Sequence, residues 1–244
     1  MPSRTDRIAL ITGANKGIGF EIARQLGQAN HLILLGARDP QRGQDAAATL
    51  KASGIDVHFI QLDLTVTATI QSAAARVGRE FGRLDVLVNN AGIGDRADGP
   101  PSGTSLEAVR RVFETNFVGT LAVTQVMLPL LRKSSAGRIV NLSSGLGSLR
   151  RNGDPAWAFA PFRFLGYSAS KAALHMLTVQ LASELTGSRI KVNSADPGFT
   201  ATDLNDHRGT QTVAEGAAEA VRLALLADDG PTGKFFNSSG EEPW

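Results

Sequence analysis

Tyr167 and Lys171 stand four residues apart in the run Tyr167-Ser168-Ala169-Ser170-Lys171. On a helix that spacing places both on one face. A free phenol, with a pKa of ~10, is a poor acid–base catalyst at neutral pH. An ammonium beside it favours the phenolate and brings it toward the working range of a general acid for a carbonyl. Tyr167 is also the only tyrosine in the chain. Ser143-Ser144 follows the apolar run Arg138–Leu142, where a hydroxyl can donate to the same reacting oxygen. Asn116 lies inside an otherwise apolar helical window, Val112–Val123. A buried amide there needs partners, the local backbone being the simplest. Asn89-Asn90-Ala91-Gly92 ends another apolar run, and its side-chain amides either hold the turn or line a cleft.

A second constellation lies near the start of the chain. Thr12-Gly13-Ala14-Asn15-Lys16-Gly17-Ile18-Gly19 joins an apolar run to a helical window. A strand, a tight glycine turn and a helix N-terminus make a diphosphate site: backbone N–H groups point outward, the helix dipole favours negative charge, and missing Cβ atoms allow close approach. The spacing is G-x-x-x-G-x-G. At the end of the next apolar run stands Leu35-Gly36-Ala37-Arg38-Asp39. A carboxylate there binds the 2′-hydroxyl of NAD, whereas an arginine suits the 2′-phosphate of NADP. Asp39 precedes Pro40 and reads as a helix N-cap with proline at the first helical position. Arg38 and Lys16 then flank the 2′-phosphate, and NADP(H) is expected over NAD(H).

These residues need elements to position them. The chain has 244 residues, 42% hydrophobic and 20% charged, which suits a globular protein with a sizeable core. Strand candidates are Ile8–Thr12, Leu32–Leu35, Val57–Gln61, Val86–Asn89, Arg138–Leu142, Lys191–Ser194 and Lys234–Phe236. Most are near-continuous apolar runs, as strands buried on both faces read. Helical windows alternate with them at Ile18–Gln28, Pro40–Ala52, Val66–Phe81, Leu106–Leu131, Ser168–Leu185 and Ala214–Leu226. The alternation predicts an α/β fold: a doubly wound parallel sheet of about seven strands, helices on both faces, in one domain spanning 1–244. Two long segments, 145–166 and 199–211, break the rhythm at the expected ligand edge. The first carries Trp157, Phe159, Phe162 and Phe164.

Composition narrows the functions. With no cysteine, thiolate metal sites and cysteine nucleophiles are excluded, and no metal is expected. Lys+Arg of 25 against Asp+Glu of 23 gives +2, spread along the chain, so nucleic acid is not an expected partner. No apolar run approaches the ~18–20 residues of a membrane span. The N-terminal stretch has no secretory h-region, so a cytoplasmic location is expected. The 26 glycines exceed the usual ~7% share.

In order along the chain, T-G-x-x-x-G-I-G, Asp63-Leu64, N-N-A-G, Asn116, S-S, Y-x-x-x-K and D-P-G resemble the short-chain dehydrogenase/reductase family, with its Rossmann-type fold. Thr12–Glu21 is most similar to the carbonyl-reductase branch, which includes plant monoterpenoid and alkaloid ketone reductases. The resemblance implies a catalytic tetrad of Asn116, Ser144, Tyr167 and Lys171, the second serine of the pair being the family's usual one. It implies cofactor contacts at Gly13, Asn15, Lys16, Gly17, Ile18, Gly19, Arg38, Asp63, Leu64, Asn89, Ala91, Gly92, Tyr167, Lys171, Pro197, Gly198, Phe199 and Thr202. The implied reaction is hydride transfer between NADPH and the carbonyl of a small lipophilic substrate. Tyr167 gives the proton, Ser144 hydrogen-bonds the carbonyl oxygen, Lys171 lowers the Tyr167 pKa and holds the ribose, and Asn116 anchors a relay water. Alternatives are a 3-ketoacyl or polyketide-type ketoreductase and a non-catalytic NADP sensor. Ser144 and Tyr167 are farther apart than in family members without an insertion. The added segment lines a substrate pocket, covers a dimer helix, or packs on itself. The family's four-helix contact implies a homodimer or tetramer, with a monomer if the insertion blocks it.

Overall fold

Buried apolar runs lie side by side as strands in the computed structural model, which describes residues 7–244. The first six residues, part of the N-terminal stretch read for a secretory signal, lie outside the described residues. The strands are β1 (Arg7–Ile11), β2 (His31–Ala37), β3 (Val57–Gln61), β4 (Val86–Asn89), β5 (Arg138–Leu142), β6 (Lys191–Ala195), β7 (Lys234–Asn237) and β8 (Gly240–Glu241). They form one sheet in the order β3-β2-β1-β4-β5-β6-β7-β8. All pairings are parallel except β7 with β8. The helices are α1 (Gly17–Gln28), α2 (Pro40–Ala52), α3 (Thr67–Glu80), α4 (Leu106–Phe113), α5 (Thr120–Leu131), the single turn α6 (Leu149–Asn152), α7 (Leu165–Glu184) and α8 (Val213–Ala224).

The period of two along each strand divides the core. Ala9, Ile11, Ile33, Leu35, Val86 and Val88 pack toward Ile22 and Leu26 of α1, Leu50 of α2 and Ala220 of α8. Ile8, Leu10, Leu34 and Leu87 pack on the opposite face against Ile70 and Val77 of α3, Val123 and Met127 of α5, and Leu181 of α7. Burying apolar side chains from both faces is why the strands read as unbroken apolar runs. Strand order reverses between β1 and β4, so the carboxyl ends of these two strands open the crevice where ligands bind in such sheets.

Two expectations change. The sheet has eight strands rather than seven, because the chain turns after Asn237 and adds a two-residue antiparallel strand. The helix expected over Leu106–Leu131 is interrupted by a π-helical segment, Glu114–Gly119. The buried positions of that segment are Asn116 and Gly119 rather than apolar side chains, and both answer to contacts from other elements. Asn116 reaches out of it to Ile93 and Ser170. A Cβ on Gly119 would stand 2.4 Å from the Leu64 carbonyl oxygen, so the segment lies directly against the β3–α3 connection.

Candidate active site

At the β1–α1 turn the glycines do different work. Gly13 and Gly17 have φ of +64° and +57°, a region that L side chains avoid. A Cβ on Gly13 would stand 2.9 Å from the Ala91 Cα, and one on Gly19 would meet the Asn90 Nδ2 at 2.3 Å. Asn90 Nδ2 donates to the carbonyls of Thr12 (2.8 Å) and Gly13 (3.2 Å). Thr12 Oγ1 accepts from the N–H groups of Asn90 and Ala91, both at 3.0 Å. Together these bonds stitch the turn to the end of β4. Gly17 differs: among the described residues, its only neighbour within 4 Å in the Cβ direction is Thr202 Cγ2 at 3.8 Å. Lys16, the N-cap of α1, makes no side-chain bond to the first turn. A loosely packed glycine at a helix N-terminus without a side-chain cap suits the diphosphate of a dinucleotide. Asn15 and Ile18 flank it, half-buried.

Asp39 does cap α2, accepting from the Arg42 N–H at 3.0 Å, as its place before Pro40 predicts. Arg38 is exposed just past β2 and has no ion-pair partner among the described residues. Lys16 instead pairs with Asp203, in the second of the long loops. Asp203 is held below its usual pKa by Lys16 and then by His207. Asp63 closes its own turn by accepting from the N–H (2.9 Å) and hydroxyl (2.7 Å) of Thr65. Leu64 is buried. Asn89 is buried too, and its amide donates to Thr124 (3.0 Å) and Asn141 (2.8 Å) in the interior. Of the two readings for the Asn89-Asn90 amides, holding the structure is the one found.

The candidate reacting groups converge at the carboxyl ends of β4, β5 and β6. Tyr167 and Lys171 share a face of α7, with the ammonium 5.5 Å from the centre of the phenol ring. Tyr167 is hydrogen-bonded to Ser144. Lys171 is buried, and its Nζ donates to the Leu142 carbonyl at 2.8 Å. Asn116 is fully buried: its amide donates to the Ile93 carbonyl (3.0 Å) and the Ser170 hydroxyl (3.1 Å), and its oxygen accepts from the Ile93 N–H (2.8 Å). Gly92 brings the two together, since a Cβ there would lie 3.4 Å from Asn116 Oδ1 and 3.5 Å from Lys171 Nζ. Ser143 is committed elsewhere, its hydroxyl 2.7 Å from His175 Nε2, which leaves Ser144 for the site.

The electrostatics depart from the sequence expectation. Tyr167 is pushed above the ordinary phenol value, first by burial and then by the Asp196 carboxylate, while the Ser144 bond opposes the shift. Burial lowers Lys171 to about 8. The phenol is therefore protonated at neutral pH, the state a proton donor requires. The net shift is upward rather than the lowering expected from Lys171, because spacing alone reports neither desolvation nor a carboxylate from another strand.

Pro197 and Gly198 follow β6. Gly198 has φ +68°, and a Cβ on it would overlap Gln211. Phe199 then packs against Phe159 with ring centres 5.8 Å apart. Trp157 (5.6 Å) and Phe162 (5.7 Å) continue from Phe159, so rings join the two long loops. Two residues absent from the sequence reading also belong here. Asp98 is buried and accepts from the N–H groups of Gly166 (2.9 Å) and Tyr167 (2.8 Å). It caps α7, which is why that helix begins at Leu165 rather than Ser168. The other residue is Asp196, of which the sequence reading used only the following Pro197 and Gly198. Its place in the D-P-G run was the one available signal.

The short chain dehydrogenase family model matches residues 7–212. The chain is 33% identical to a (+)-neomenthol dehydrogenase of Capsicum annuum, with 94% of this chain and 95% of that protein covered. It is 33% identical to carbonyl reductase [NADPH] 1 of Mus musculus, over 97% of this chain and 98% of the relative. The solved structure of an NADPH-bound carbonyl reductase from chicken fatty liver superposes with a TM-score of 0.85 at 29% identity, covering 98% of this chain and 94% of the other.

Proposed function

This chain belongs to the short-chain dehydrogenase family, oxidoreductases acting on alcohol and carbonyl groups, and on that premise we propose an NADPH-dependent reductase of small lipophilic ketones or aldehydes. The observation that carries the reading is the Tyr167 hydroxyl bonded to Ser144 with Lys171 on the same helix face. A non-catalytic sensor has no use for that trio. The aromatic row from Trp157 to Phe199 favours an apolar substrate over an acyl carrier.

The cofactor residues fit a dinucleotide. Gly13, Gly17 and Gly19 shape the turn for its diphosphate, with Asn15, Lys16 and Ile18 beside it. Arg38 takes the 2′-phosphate. Asp63, Leu64, Asn89 and Ala91 border the adenosine side, Asn89 through its backbone because its side chain is bonded inward. Gly92, Pro197, Gly198, Phe199 and Thr202 border the nicotinamide side. When bound, NADPH supplies the hydride. Arg38 and the NADPH in two relatives' names support this cofactor over NADH.

Ser144 donates to the carbonyl oxygen and stabilises the charge that grows there. Tyr167 donates its proton to the same oxygen. Lys171, oriented by the Leu142 carbonyl, offsets the charge left on the phenol. Asn116 holds the backbone at Ile93 against Lys171 on the side from which the proton is replaced. Apolar Met176 and Val179, exposed on α7, favour a homodimer through that helix, which light scattering tests.

Replacing Tyr167 with Phe tests the assignment. Ketone reduction is expected to fall roughly 10²–10⁴-fold while NADPH binding, read by fluorescence, stays within a few-fold. Undiminished turnover by the variant would overturn it.

A further inference from the structure

Asp196 ends β6 and is buried. Its two carboxylate oxygens serve two different loops. Oδ2 accepts from the Gly145 N–H at 3.0 Å, next to Ser144. Oδ1 accepts from the Gly198 N–H at 2.9 Å, in the turn after Pro197. Arg151 of α6 lies near the same point, since a Cβ on Gly145 would stand 3.1 Å from Asp196 Oδ2 and 3.7 Å from Arg151 Nη1. Arg151 also pairs with buried Glu242 of the C-terminal tail and lies over the Trp157 ring, 5.7 Å from its centre. The charged or titratable groups facing Asp196 are thus Tyr167 and Lys171 on α7, Arg151 on α6 and Glu242 on the tail. His175, further along α7, bonds to Ser143 and faces Lys171.

We propose that Asp196 is a positioning residue: it clamps the turn carrying Ser144 to the turn at Pro197–Gly198, and its charge sits behind the Tyr167–Lys171 pair, with the Arg151 guanidinium nearby. The clamp keeps Ser144 within reach of Tyr167. The charge disfavours phenolate and favours the Lys171 ammonium. Both effects keep the proton on Tyr167 until the carbonyl oxygen takes it. The inference rests on Tyr167 being the proton donor, and it can be read without turnover because Tyr167 is the only tyrosine in the chain.

The test is an alkaline titration of the phenolate's ultraviolet absorbance in the full-length wild type and in Asp196→Asn. The variant is expected to ionise about one pH unit lower. With a ketone that the wild type reduces, the alkaline limb of kcat/KM shifts in the same direction and kcat drops about tenfold. Asp196→Ser, which also removes the charge, repeats the titration if the amide variant does not fold. Identical titration of wild type and folded variant overturns the proposal. Failure of both variants to fold overturns it too, because Asp196 would then be a purely structural residue. A wild type that titrates as expected but reduces no ketone overturns the proposed function and not the placement of the charge.

Discussion

Two helices begin at this site, and they begin differently. At α1, the N-cap residue Lys16 makes no side-chain bond to the first turn, and a Cβ on Gly17 would meet Thr202 Cγ2 only at 3.8 Å. At α7, the Asp98 carboxylate accepts from the N–H groups of Gly166 and Tyr167. Both ends offer the same partial positive charge. One leaves it without a side-chain partner, as the proposed cofactor diphosphate would need. The other satisfies it with a buried carboxylate and so fixes the position of Tyr167, the proton donor proposed above. An open N-terminus suits binding; a closed one suits positioning.

Substitutions at either helix end separate the two roles. Arg38→Asp removes the cation proposed for the 2′-phosphate and adds repulsion. The ratio of kcat/KM for NADPH over NADH is expected to fall about 100-fold. A wild type that already prefers NADH would break the account of the open end. Asp98→Ala uncaps α7 and leaves buried N–H groups unpaired. Chemical denaturation should show a loss of about 2 kcal/mol, and kcat should drop more than the KM for NADPH rises. An equal effect on both parameters would mean that the cap supports the fold and not Tyr167. Asp203→Asn releases Lys16 from its exposed pair and should lower the KM for NADPH about threefold. A raised KM would show that the pair shapes the open end rather than competing with the cofactor.

The open end was legible in the sequence and the closed end was not. The Asp39-Pro40 cap acts on Arg42, three residues away, so local spacing displays it; the glycine turn shows as a local motif, although Gly13 and Gly19 pack on Ala91 and Asn90 far along the chain. The Tyr167–Lys171 pair is legible for the same reason. Asp98 reaches Tyr167 across 69 positions, and Asp196 reaches Gly145 across 51. No periodicity encodes such contacts. The π segment at Glu114–Gly119 was hidden because Asn116 and Gly119 answer to Ile93, Ser170 and Leu64 on other elements. The direction of the Tyr167 shift was misread for a related cause: a helix shows its own lysine at i+4, whereas burial and the Asp196 charge come from the assembled sheet edge.

The most direct test of the account is steady-state oxidation of NADPH and of NADH by the wild-type chain against ketones, aldehydes and quinones. Turnover is expected with lipophilic carbonyls, faster with NADPH, and lost in Tyr167→Phe. Tight NADPH binding without turnover of any carbonyl would contradict it.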